Sequence, residues 1–398
     1  MKSKIIAVAL FILTAATVIA YPSLRSNGAI PRPPPPQAHL LPENRPKIEV
    51  VFALDTTGSM GGLIQAAKEK IWSIATTMAS AQTAPEISIG LVAYRDRGDA
   101  YVTKVVDLST DLDSVYATLM DFEADGGGDG PESVNQALYE AVNGVSWSQD
   151  PQSYKVVFLV GDAPPHMDYQ DDVKYPATLS AAKDKGIVVN TIQCGDMAVT
   201  TGPWQRIAEL GHGSYFEVEQ AGSAVALATP FDADIASLSA ELDGTRLYYG
   251  SEEEKAKMDR KREATTKLHA FSSVEVRARR GAFNASESGR KNLLGESELV
   301  DDVASGRVDL AEIENERLPQ PMQSMSPEKQ RTLIEETADK RSTLTRQIKE
   351  LAQKRSEFLA EEVKKAGGAR DSLDHQIYST IRDQAAAKGL EYDRGPEY

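Results

Sequence analysis

The stretch "IEVVFALDTTGSM", residues 48–60, decides the fold. The apolar run "IEVVFAL" enters the turn "DTTGSM", and the pattern "GGLIQAAKEKIWSIATTM" follows at once. A short apolar run bounded by turn residues reads as a buried strand. Leu63, Ile64, Ala67, Ile71, Ile74 and Met78 recur at three- and four-residue spacings, which makes one apolar face of a helix. Three more runs, "EISIGLVAY", "YKVVFLV" and "GIVVNTIQC", alternate with helical patterns in the same way. Near-continuous Val and Ile strands separated by helices predict an α/β fold, a doubly wound, mostly parallel sheet with helices on both faces. Ligands of such sheets gather beyond the carboxyl ends of the strands, and Asp55 ends the first of them.

Three polar loops fall at such ends. In the first, Asp55, Thr57 and Ser59 alternate, so that an extended turn can bring three oxygen-bearing side chains toward one point. The second is "ADGGGDGPESVNQAL", where consecutive glycines allow a sharp bend before Pro131 starts a helix near Glu132. The third is "FLVGDAPPHMD", with Asp162 closing an apolar run. Hydroxyls and carboxylates without a Cys or His cluster suit a hard divalent cation, Mg²⁺ or Ca²⁺.

These residues resemble the von Willebrand factor type A domain. "DTTGSM" fits the family's D-x-[ST]-x-S signature, and "FLVGDAPPH" is similar to its later aspartate loop, over roughly residues 47–230. The resemblance implies a metal-ion-dependent adhesion site: Thr57 and Ser59 contact the ion through hydroxyls, Asp55 and Asp162 hold waters around it, and an open position accepts a carboxylate from a protein partner. Many relatives place a threonine ligand in the middle loop, where this chain has "GDGPES"; the integrin β version uses a Pro-Glu pair, which aligns with Pro131-Glu132. Glu132 is therefore expected as the third ligand, with Asp129 as the fallback. The same likeness suggests a second metal site at Asp96 and Asp129. The family's other auxiliary site is not expected, because Gly62 and Leu63 stand where acids would be required.

Composition fits an acidic, non-nucleic-acid-binding protein. The 398 residues carry 44 Lys and Arg against 59 Asp and Glu, a formal charge of −15. Residues 47–230 alone carry net −14, so the acidity belongs to the segment with the three loops and disfavours a phosphate backbone as partner. Residues 1–20 read as a signal peptide: Lys2 and Lys4, an apolar stretch from Ile5 to Ala20, and small residues at its end. The expectation is a periplasmic or secreted protein. The alternative is an uncleaved anchor through residues 5–20. Residues 21–46, "YPSLRSNGAIPRPPPPQAHLLPENRP", read as a proline-rich linker. The single cysteine, Cys194, lies in an apolar run and is expected to be buried rather than reactive.

After about residue 231 the chain turns helical and mixed in charge. A connector over 231–266 and a separate helical domain over 267–398 are expected, the latter with a hairpin of two helices, one from Ser326-Pro327 and one from Asp371 to a stop at Gly389. Ile334, Leu344, Ile348, Leu351 and Phe358 share a stripe with Thr337, Arg341 and Arg355, which argues against a coiled-coil dimer. The whole chain resembles bacterial proteins that join a type A domain to a helical tail. No nucleophile elbow, P-loop or zinc pattern occurs, so a non-enzymatic binding module of the cell envelope is expected. The alternatives are an accessory subunit of a metal-insertion or AAA-type ATPase assembly and, more weakly, a hydrolase using Asp162 with His166. "RGD" at 97–99 is read as coincidence, and Asn284 in "NAS" as a glycosylation acceptor only in a host that glycosylates.

Overall fold

The computed structural model describes residues 45–128, 130–219, 227–365 and 373–392; residues 1–20, nearly all of the 21–46 linker, Asp129 and Asp371 lie outside them. Six strands build one sheet: β1 (Lys47–Asp55), β2 (Glu86–Tyr94), β3 (Thr103–Ser109), β4 (Tyr154–Gly161), β5 (Ile187–Cys194) and β6 (His212–Val218), in spatial order β3-β2-β1-β4-β5-β6. All neighbours pair in parallel except β2 and β3. The four expected strands are the four inner ones. The edge strands β3 and β6 escaped the sequence because each is half-exposed and carries charged or small residues instead of an unbroken apolar run.

The two faces of β1 follow the strand period of two. Ile48, Val50, Phe52 and Leu54 enter one core, and Val51 and Ala53 enter the other. Helices α1 (Gly61–Ala79) and α2 (Leu112–Met120) cover the first face; α3 (Val134–Tyr139), α4 (Tyr175–Asp184) and α5 (Ala198–Leu210) cover the second. The fold class and the helix beginning at Gly61 are as expected. The middle-loop helix is not: it starts at Val134 rather than near Glu132. The reason is that Glu132 is held extended, its amide donating to Pro164 O (2.9 Å) in a parallel bridge with Pro165.

The tail comprises α6 (Asp232–Asp243), α7 (Glu252–Phe271), α8 (Val274–Ala285), α9 (Arg290–Leu294), α10 (Leu299–Ala304), α11 (Pro327–Lys365) and α12 (Leu373–Ala385). The expected boundary at 266/267 falls inside α7, a continuous helix started by a reciprocal capping box between Ser251 and Glu254. Nor is the helical region separate. Leu268 of α7 and Val276 and Phe283 of α8 share the core on the α1 side of the sheet, and Trp72 of α1 packs its ring 5.7 Å from Tyr116 and 5.8 Å from Phe283. One compact unit runs from Leu41 to Tyr398.

The expected hairpin is also absent: α11 lies along α6, α8 and α10, whereas α12 docks on α1 and β6. Ile377, Ile381, Ala385 and Leu390 complete the sheet's core, and Gln384 accepts from the Tyr154 hydroxyl at 2.7 Å. The β-sheet domain is thus closed by a helix from beyond residue 365. The polar members of the α11 stripe pair within the chain: Arg341 grips Glu298 (2.8 and 2.9 Å) and Arg355 Nε donates to Asp232 (2.7 Å). Gly389 adopts the left-handed conformation (φ 76°) that ends the α12 region. Asn284 is 3% exposed and accepts from Asn292, so it is not presented as a glycosylation acceptor. No described helix is long and apolar enough to cross a membrane.

Candidate metal centre

The turn after β1 is organised by its own aspartate. The Thr57 amide and hydroxyl both donate to Asp55 Oδ1, at 2.9 and 2.6 Å, which turns the Thr57 hydroxyl to within 3.4 Å of Ser59 Oγ. Asp55 and Thr57 are buried, while Gly58 and Ser59 are exposed, so the hydroxyl end of the turn opens to solvent. A short 3₁₀ turn, Gly58–Met60, then passes directly into α1.

The other two loops are fastened to this turn by backbone hydrogen bonds. Gly58 N donates to Gly126 O (3.1 Å) and Asp125 N to Thr56 O (3.1 Å), pressing the glycine loop against it. Gly127 sits at φ +79°, and a Cβ there would lie 3.1 Å from Glu132 Oε1 and 3.2 Å from Thr57 Cβ. The absence of a side chain at 127 is what lets the Glu132 carboxylate approach Thr57. His166 N donates to Glu132 O (3.1 Å), which joins the middle loop to the Asp162 loop. Gly161 is needed for the same reason of space: a Cβ would strike the Tyr94 hydroxyl and lie 3.0 Å from the Asp55 carboxylate. Asp55, Thr57, Ser59, Glu132 and Asp162 therefore all belong to loops locked together at the carboxyl ends of β1 and β4.

Two carboxylate oxygens in this centre, Asp55 Oδ2 and Glu132 Oε2, are buried with no hydrogen-bond partner. The electrostatics agree with that geometry. Burial pushes the Asp55 carboxyl up to about 7 against the hydrogen bonds from Thr57, and the Asp162 charge adds to the rise. Glu132 is pushed up to about 9, first by burial and then by the charges of Asp55, Asp96, Asp99 and Asp162. Acceptor-only oxygens that repel one another and lack donors form a site that wants a cation. Among the described residues no three His, Cys, Asp or Glu side chains form a metal cage by themselves, so the Thr57 and Ser59 hydroxyls must complete the donor set. Oxygen ligands of this kind fit a hard divalent ion.

Asp96 has other partners. Its Oδ1 accepts from the Ser133 hydroxyl (2.7 Å) and its Oδ2 from the Tyr169 hydroxyl (2.8 Å), with His166 Nε2 at 3.3 Å. Here Asp96 acts as a strut between three loops, and Asp129, expected beside it in a second metal site, lies outside the described residues. His166 stacks on Tyr169 (centroids 4.0 Å apart), and its Nδ1 meets Asp168 Oδ1 at 2.8 Å, so its ring orders the proline-rich loop.

Several residues of the centre went unremarked in the sequence. Arg95, 5% exposed, donates to Thr56 O (3.1 Å) and Glu123 O (2.8 Å) and carries Tyr101 against its guanidinium at 4.6 Å. The Thr56 hydroxyl meets Tyr101 Oη at 2.7 Å. Asp99 takes the amides of Gly127 (3.0 and 3.2 Å) and Asp96 (3.1 Å). The only signal was the charge-dense "YRDRGD", residues 94–99. That motif is used internally: Arg97 pairs with Asp171 and Asp172 over the Tyr169 ring, and Asp99 braces the glycine loop, so the tripeptide is not free for an outside receptor.

Comparison with known proteins agrees with this architecture. Residues 49–228 match the family model of the von Willebrand factor A domain, so this part of the chain is such a domain. Over 124 residues the chain is 26% identical to an ariadne-like RING finger protein of Acanthamoeba polyphaga mimivirus; the match takes in 31% of this chain and 12% of that protein's length. Among solved structures, the SpRpn10 VWA domain matches at TM-score 0.35 and 11% identity, over 45% of this chain and 90% of its own. Proximal thread matrix protein 1 from the mussel byssus, in a structure with a zinc-occupied MIDAS motif, matches at TM-score 0.34 and 15% identity, over 44% of this chain and 42% of its own.

Proposed function

We propose that the von Willebrand factor A domain of residues 49–228 is a metal-ion-dependent protein-binding module. Thr57, Ser59 and Glu132 would hold Mg²⁺ or Ca²⁺, with Asp55 and Asp162 behind them, and the ion would take a carboxylate from a protein partner. The observation that carries this reading is the pair of buried, unpartnered oxygens, Asp55 Oδ2 and Glu132 Oε2, in loops braced from every side. When bound, the cation supplies the positive charge that lets an acidic face accept an acidic group. The chain's own part is to fix the oxygens: Asp55 turns the Thr57 hydroxyl outward, Gly127 admits Glu132, and Arg95 and Asp99 hold the loops that carry them.

The reading is one of binding without catalysis. His166, the imidazole beside the centre, is engaged by Asp168 and Asp96 on its two nitrogens, which leaves no positioned base next to a metal-bound water. An exported location in the envelope or outside the cell accords with Lys2, Lys4 and the apolar residues 5–20.

Thermal unfolding of the full chain in EDTA, Mg²⁺ and Ca²⁺ tests the proposal, because an ion that binds only the native state must stabilise it, by about 2.7 kcal/mol at a hundredfold excess over Kd. The expected result is a rise in Tm with one or both ions that disappears in the Asp55→Ala, Ser59→Ala variant. A wild-type protein indifferent to all three conditions overturns it.

A further inference from the structure

Resting on that reading, we infer that the partner segment carries a single Asp or Glu flanked by large apolar side chains, which sit on an apolar rim beside the ion. Among the described residues, seven large apolar side chains are exposed, and four of them, Met167, Val173, Met197 and Val199, lie just past the carboxyl ends of β4 and β5. A soluble chain with its cores already filled does not gather apolar side chains at one end without a use for them.

The rim is built on backbone that the metal centre itself fixes. Met167 follows His166, whose amide is bonded to Glu132 O, and buried Asn135 donates to His166 O at 2.6 Å while its amide lies 3.7 Å from Met167 Sδ. On the other side, Met197 O accepts from buried Gln193 (3.2 Å). The Thr200 hydroxyl donates to Asp162 O (2.8 Å), and Trp204 Nε1 to Ala163 O (2.9 Å). Met197 and Val199 therefore stand beside the Asp162 loop on rigid supports, so little conformational entropy is lost when a partner covers them.

Charge selects the rest of the partner. Asp168, Asp171 and Asp196 are exposed on the same loops, while the nearby cation Arg97 is already paired with Asp171 and Asp172. A second carboxylate on the partner would meet this acidic rim unneutralised, whereas an apolar residue meets Met197 and Val199. One carboxylate for the ion with apolar neighbours is the chemistry that satisfies both.

The test uses two peptides, acetyl-Gly-Gly-Glu-Gly-Gly-amide and acetyl-Gly-Leu-Glu-Leu-Gly-amide, titrated into the full chain with saturating Mg²⁺ or Ca²⁺. Ion binding is measured separately by calorimetry. The leucine-flanked peptide is expected to bind roughly tenfold or more tightly than the glycine-flanked one, the scale set by part-burial of one apolar side chain. In Met197→Ser, Val199→Ser the ion should bind as in the wild type while that ratio collapses toward one. Equal affinity of the two peptides for the wild type, neither binding up to millimolar concentration, or a ratio unchanged in the variant each overturns the inference while leaving the metal reading intact. Failure of the ion itself to bind overturns both, and calorimetry tells that case apart.

Discussion

Arg280 grips Asp113 through two hydrogen bonds, Nε to Oδ1 at 2.7 Å and Nη2 to Oδ2 at 2.6 Å, with both side chains fully buried between the β-sheet domain and the helical tail. The same guanidinium donates to Asp243 at 2.7 and 3.0 Å, so one cation is shared by α2 and α6. Removing it would leave two buried carboxylates short of their partner. Arg280→Met is expected to cost about 3–5 kcal/mol, the range for breaking a buried pair from one side. Chemical denaturation measures it, and a loss under 1 kcal/mol would mean that Lys261 and Arg246 suffice.

The same cluster sets the acid limit of the fold. Burial alone would raise the Asp113 carboxyl, but Arg280, Lys261 and Arg246 overcome it and hold the group well below the usual range; Asp243 is lowered in the same way, to about 2. A lowered folded-state pKa contributes stability above the unfolded value, about 4, and that stability is lost as pH falls through the folded value. Between pH 4 and 2 the wild type should therefore lose stability more steeply than Asp243→Asn, by up to about 1.4 kcal/mol per pH unit. Urea midpoints taken across that window check the difference, and parallel curves would refute it.

Gly127 limits access to the metal centre. Gly127→Ala forces a side chain into a φ of +79° and places its Cβ against Glu132 Oε1 and Thr57. Strain of about 1–2 kcal/mol is expected from the backbone conformation alone. Displacement of Glu132 should in addition weaken ion binding more than global stability falls, a comparison made by calorimetry beside denaturation. Gly128→Ala, where no atom lies within 4 Å of an added Cβ, is the control and should bind the ion as the wild type does.

A chain ending at residue 365 loses α12 and with it the buried side chains of Ile377, Ile381 and Leu390, as well as the Gln384 bonds to Tyr154 and Asn190. Each large apolar side chain fully buried is worth about 1.5–3 kcal/mol, so the sum rivals the stability of an ordinary domain. The truncated chain should be aggregated or partly unfolded by circular dichroism. A truncated chain ending at residue 230 should fare no better, although the sequence resemblance ends there.

The sequence by itself determined the parallel sheet, because inner strands covered on both faces must be apolar throughout, and "IEVVFAL" and "YKVVFLV" are. It also located Asp55, Thr57, Ser59, Glu132 and Asp162 at strand ends, since turn chemistry and alternation are local properties of the chain. Tertiary structure alone decided what closes the sheet. Ile377 and Ile381 read as one face of any amphipathic helix, and nothing in that pattern says whether the face meets α11 or crosses back to α1. It alone decided that Arg95, Asp99 and Gly127 support the centre, because their partners lie 28 to 39 residues away in the chain, and that Arg280 binds Asp113 across 167. Periodicity records which residues leave water. Which buried surface meets which, and where a buried charge finds its partner, is fixed only when the whole chain packs and every desolvated group must be matched at once.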